Sequence, residues 1–193
     1  LLMQLLERLQ EFLHPLPPPR ELDANFVLRG SRLELRDPDW LLRAPQGLIE
    51  VFARRFDVEG CSGITAATMR AVEHALVIHG TALSRSPEAL ATFFALLKRG
   101  AGAVRVLEAL NRHGVLAAIL PPFARVVGRM QYDLFHVYTV DEHTLRVLRN
   151  IARYALPETR AGLPLACEAF ARLVKPEILL LAGWDGLDSA GVA

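Results

Sequence analysis

Apolar residues return every three or four positions through most of the chain, and the places where that rhythm breaks divide it into elements. Leu2, Leu5, Leu6, Leu9, Phe12 and Leu13 predict an amphipathic helix over about 1–13, and Pro15, Pro17, Pro18 and Pro19 stop it in a stiff linker. The period then changes. Phe26, Leu28, Leu33 and Leu35 flank the turn-like centre Arg29-Gly30-Ser31-Arg32, which predicts a small β-hairpin, the one convincing strand signal in the sequence. After Pro45 the helical rhythm resumes: Leu48, Ile49, Val51, Phe52 and Phe56 mark one face, and Gly60 and Gly63 punctuate its end. Thr65 is placed to cap a helix running through Met69, Val72, Leu76 and Val77 to about His79.

Ser86-Pro87-Glu88 is a stronger start, because Ser can cap, Pro fits the first turn and Glu complements the positive end of the dipole. That helix is predicted to reach Arg99. Short apolar helices over about 103–112 and 115–120 are divided by Gly114, and Pro121-Pro122 opens another turn. From Thr139 to Tyr154 the cues converge: Thr139 or Asp141 to cap, Asp141 and Glu142 in the first turn, Arg149 and Arg153 in the last, and Val140, Leu145, Val147, Leu148 and Ile151 on one face. A Pro157-to-Pro164 connection leads to helices at about 165–173 and 176–182. The fold class is therefore mainly α, a multi-helix bundle with a small β-hairpin. Phe93, Phe94, Phe123 and Phe135 are expected in the core.

Composition narrows what such a bundle can do. The chain has 193 residues, 52% of them hydrophobic, enough to fill a core without staples. Its 22 basic and 21 acidic side chains leave a formal charge of +1, so no global field draws it to nucleic acid or an anionic membrane. Cys61 and Cys167 stand far apart in no metal-like spacing and read as reduced thiols. Glu7, Arg8 and Glu11 interrupt the apolar opening in a way no signal peptide does. No run reaches the roughly 18 apolar residues of a membrane span. A cytoplasmic location is expected, and Leu1 in place of a start Met points to an excerpt of a longer chain.

Candidate chemistry concentrates in one place. His14, His74, His79 and His113 sit at linkers or helix ends, where local structure explains them, and no H-E-x-x-H signature occurs. His136 and His143 lie instead in MQYDLFHVYTVDEHTLRVL, with Asp133, Tyr138, Asp141 and Glu142. By residue type alone this run is equally a site or a satisfied polar rim. Arg146, Arg149 and Arg153 share one helical face, which reads as a solvated face before a phosphate or partner contact.

The run FARVVGRMQYDLFHVYTVDEHTLRVLRN closely resembles the bacterial bifunctional uridylyltransferase and uridylyl-removing enzymes that modify the PII nitrogen-signalling protein. The likeness extends through NFVLRGSRLELRDPD, SRSPEALATFFALL, LNRHGVLAAILPPF and KPEILLLAG. It implies three parts: an N-terminal helix and linker (1–20), a helical connector with the hairpin (21–128), and the front of a metal-dependent HD phosphohydrolase domain (129–193). It also implies that the transferase site lies upstream and that glutamine-sensing domains lie downstream. His143 matches the family's first metal-ligating His, and Asp185 is the candidate for the Asp of its His-Asp pair. The implied cofactor is Mg2+ or Mn2+, which lowers the pKa of bound water from about 15.7 to about 7 for attack on the phosphodiester joining UMP to a PII tyrosine.

The sequence departs from the family after LLLAG, where WDGLDSAGVA stands and the paired His is missing. With His143 and Asp185 as its only candidate ligands, the excerpt is expected to be inactive alone. The alternative is a non-catalytic helical interaction module with a degenerate HD pocket, which docks PII or couples domains. An HD phosphohydrolase of free nucleotides is a third reading.

Overall fold

The computed structural model describes residues 18–128 and 139–172. It divides between Ala89 and Leu90 into two compact units. The helices expected over 1–13 and 176–182 fall outside the described residues, as do Phe135, His136 and Asp185.

In the first unit the hairpin forms where alternation placed it. Strands β2 (Phe26–Arg29) and β3 (Arg32–Leu35) pair antiparallel from Phe26↔Leu35 to Arg29↔Arg32. The turn between them needs a left-handed residue, and Gly30 supplies it at φ 59°. Arg29 Nε donates to Glu34 Oε2 at 2.7 Å, a diagonal cross-strand pair. The hairpin proves to be the centre of a four-stranded sheet. A two-residue strand β1 (Arg20–Glu21) pairs antiparallel with β2, and β4 (Gly63–Ile64) runs parallel to β3. Two residues carry no alternation to detect, so Gly63 looked like punctuation.

Helices cover the sheet: α1 (Trp40–Arg43), α2 (Gly47–Asp57) and α3 (Ala66–His79). Leu33, Leu41, Leu48, Ile49 and Phe52 are fully buried, each contributing about 1.5–3 kcal/mol of transfer free energy. Gly47 lets α1 and α2 meet closely, since a Cβ there would lie 2.7 Å from Leu41 Cδ2. Thr65 caps α3 as expected, its side chain accepting from the Thr68 amide at 3.3 Å. Thr68 Oγ1 in turn accepts from the Leu35 amide at 2.9 Å, which ties the helix to the hairpin. Val77, one of the apolar residues through which that helix runs, is 80% exposed at the end of α3. His79 has a structural partner, Nε2 lying 2.8 Å from the Leu41 carbonyl.

A 3-10 turn (Gly80–Arg85) precedes α4 (Pro87–Leu97), whose start is capped by Ser86 Oγ accepting from the Ala89 amide at 3.2 Å. The helix stops at Leu97, short of Arg99, because Gly100 turns left-handed at φ 58°.

The second unit continues with α5 (Ala101–Arg112), α6 (Val115–Ile119), α7 (Pro121–Ala124), α8 (Val140–Arg153) and, after a 3-10 turn (Pro157–Ala161), α9 (Pro164–Ala171). Its core holds Phe93, Val106, Leu107, Leu110, Leu116, Phe123 and Leu148. Phe94 does not join them; it is 50% exposed. Helix α8 lies against α5.

Candidate functional site

Helix α8 carries the residue on which the sequence reading turns. Thr139 adopts extended geometry ahead of it, and its carbonyl accepts from the His143 amide at 2.8 Å, closing the first turn. Asp141, Leu145, Leu148 and Ala152 form the buried stripe of the helix. At about 100° per residue, His143 lies on the side opposite Asp141, and it is exposed. Its helix is thus anchored on one face while the imidazole stands on another.

Asp141 is the anchor. It is only 5% exposed, although it is a carboxylate. Its Oδ2 accepts from Asn111 Nδ2 of α5 at 3.0 Å, and its Oδ1 accepts from the Gly128 amide at 3.0 Å. Burial alone would raise its pKa. The bonds from Asn111, the Gly128 amide, the Thr139 hydroxyl and its own amide outweigh burial and hold the carboxyl below the ordinary range. A carboxylate so engaged is a structural group, so the structure separates two neighbours that the sequence grouped: Asp141 serves the scaffold and His143 faces outward.

Beside them lies a groove of about 350 Å³ between α5 and α8, lined by Asn111, Arg112, Glu142, Arg146, Glu108 and Arg149 among others. Arg149 Nε donates to Glu108 Oε1 at 2.7 Å, a second link from α8 to α5 and the structural use of one arginine in the predicted basic face. Asn111 and Gly128 had not been singled out in the sequence. Neither residue type nor spacing could have found them, because Asn111 stands 30 positions from the carboxylate it bonds.

Set against a divalent ion, the described residues offer one good ligand. His143 has the right donor, an exposed imidazole on a well-anchored helix. Asp141 is consumed by its hydrogen bonds. Among the described residues no three His, Cys, Asp or Glu side chains converge as a metal cluster. Asp133, His136, Tyr138 and Asp185 lie outside the described residues.

Comparison with known proteins decides the lineage. Residues 26–119 match the family model described as the third domain of the uridylyltransferase GlnD. The bifunctional uridylyltransferase/uridylyl-removing enzyme of Thiobacillus denitrificans is 43% identical over 165 residues, covering 86% of this chain and 19% of its own. The enzyme so named from Methylococcus capsulatus is 47% identical over 138 residues, covering 72% and 16%. That of Nitrosococcus oceani is 38% identical over 184 residues, covering 95% and 20%. The chain belongs to this family. It spans about a fifth of the length of the relatives it matches. No solved structure matches it. The third-domain match ends at residue 119 and so includes α5 but not α8, whereas the match to Nitrosococcus oceani runs over nearly the whole chain. Among the described residues no helix is long and apolar enough to cross a membrane.

Proposed function

We propose that this segment belongs to a cytoplasmic enzyme that adds UMP to PII and removes it again, and that it supplies the helical connector and the first part of the hydrolytic domain. The observation that carries this is the placing of His143: in the first turn of a helix fixed by its opposite face to α5, with the imidazole exposed. A ligand residue benefits from that combination of an anchored helix and a side chain at the protein surface. When bound, a divalent metal such as Mg2+ or Mn2+ supplies activated water and charge neutralisation at the phosphodiester. His143 would hold it, with Asp185 as the second candidate, and the remaining ligands come from other parts of the full-length chain. Glutamine would act through domains beyond this segment. The near-neutral surface suits a substrate recognised locally at its phosphate ester, and nucleic acid is not the expected partner.

The test is hydrolysis of PII-UMP with Mg2+ or Mn2+ by the full-length enzyme and its His143→Ala variant. Loss of one ligand is expected to slow removal at least about 100-fold, while uridylyl transfer from UTP is unchanged. Equal removal rates would take His143 out of the mechanism. Tight, metal-independent binding of PII with no hydrolysis would establish the non-catalytic docking role instead.

A further inference from the structure

Between α5 and α8 the structure holds a buried polar junction that reaches beyond either helix. Its acceptor is Asp141, 5% exposed, and beside the local Thr139 hydroxyl and its own amide it takes two donors from distant places in the chain: Asn111 Nδ2 in the last turn of α5 and the amide of Gly128, each at 3.0 Å. Gly128 is left-handed at φ 70°, a conformation in which its amide can be presented to the carboxylate. Asn111 Oδ1 is itself buried without a partner among the described residues, so the NH2 bond to Asp141 is the side chain's link to α8. Leu145 and Leu148 hold α8 against α5 by non-directional packing, which sets the covered face but holds the first turn less sharply than directional bonds do. The exposed Glu108–Arg149 pair lies further along α8, whereas the buried bonds to Asp141 hold its first turn, two residues from His143.

We propose that Asp141 is a positioning residue for the uridylyl-removing site, setting the rotation and register of the first turn of α8, and so the place of the His143 imidazole, through Asn111 and Gly128. Because Asn111 lies within the matched third domain and Asp141 beyond it, the junction makes the connector part of the hydrolytic centre's framework. This rests on the assignment of His143 above. A displacement of about 1 Å at a reacting group costs on the order of 100-fold in rate, so the effect on removal is expected to exceed the effect on stability.

The test uses the full-length enzyme with Asp141→Leu, Asn111→Asp, the double exchange Asp141→Asn/Asn111→Asp, and Glu108→Gln as a control that weakens the other α5–α8 link. Removal of UMP, Mn2+ affinity and amide exchange of the metal-free protein at Gly128 and the first turn of α8 are measured together. Asp141→Leu removes both acceptors, and Asn111→Asp sets carboxylate against carboxylate. Each is expected to lower removal and Mn2+ affinity by about 10-fold or more and to speed exchange at Gly128. The double exchange restores an amide-to-carboxylate bond with donor and acceptor swapped, leaves a carbonyl oxygen for the Gly128 amide, and is expected to recover most of each quantity. Glu108→Gln is expected to leave Mn2+ affinity unchanged. Single variants within twofold of wild type, or a double exchange as impaired as Asn111→Asp, would overturn the proposal, even if a single variant folds poorly. If His143→Ala also left removal intact, the assignment of His143 would fall; if it abolished removal while Asp141→Leu did not, only the positioning role would.

Discussion

Two acidic residues of the first unit show how the same charge takes opposite signs in stability. Asp23 feels burial, which raises its pKa, but the amides of Asn25 and Phe26, each at 3.0 Å, and Arg54 at 2.6 Å lower it further than burial lifts it. Its contribution is present above the unfolded value of 3.8 and lost as the pH falls through the lower folded value. Glu50 is raised, first by burial and then by the charge of Asp23. The folded state therefore binds its proton more tightly, and stability declines as the pH rises from 4.5 through the raised folded value. Glu50→Gln is expected to raise the melting temperature at pH 7 and to have little effect below pH 4.5, which thermal unfolding at the two pH values would check. A larger gain at acid pH would contradict this account. At Gly47 the constraint is steric: a methyl group would meet Leu41 and the Trp40 ring within 3 Å.

Among elements, α8 is the one with most at stake. Its apolar stripe is short, and Leu148, fully buried, is its central contact. Leu148→Ala is expected to cost about 2–5 kcal/mol, read as a lowered midpoint in urea with the slope unchanged. A cost under about 1 kcal/mol would mean that α8 is held chiefly by Asp141 and the Glu108–Arg149 pair. The same helix shows what a local signal can and cannot say. Its limits, acidic first turn and apolar face were legible because each is set within a turn or two of chain. The use of Asp141 was not, since a carboxylate near a helix start is equally a cap, a ligand or a buried anchor until its neighbours across space are known.

At the level of the molecule, the two units place the hairpin sheet and the His143 helix in different bodies. With His143 and Asp185 as its candidate ligands, the 193-residue chain alone is expected to show no hydrolysis of PII-UMP with Mn2+, the reaction proposed for the full-length enzyme. Turnover by the isolated segment would show that it holds a complete site.

Sequence alone determined the mainly helical class, the hairpin with Gly30 at its turn, the caps at Thr65 and Ser86, the course of α8 and the family, because these depend on neighbours within a few positions or on long runs of residue order. Tertiary structure alone decided that β1 and β4 extend the hairpin, that Phe94 and Val77 face solvent, and that Asp141 turns inward to Asn111 while His143 turns outward. The physical reason is range: helix periodicity says which residues share a face, but only packing says which face is covered, and a buried carboxylate is stable only where distant chain brings its donors to it.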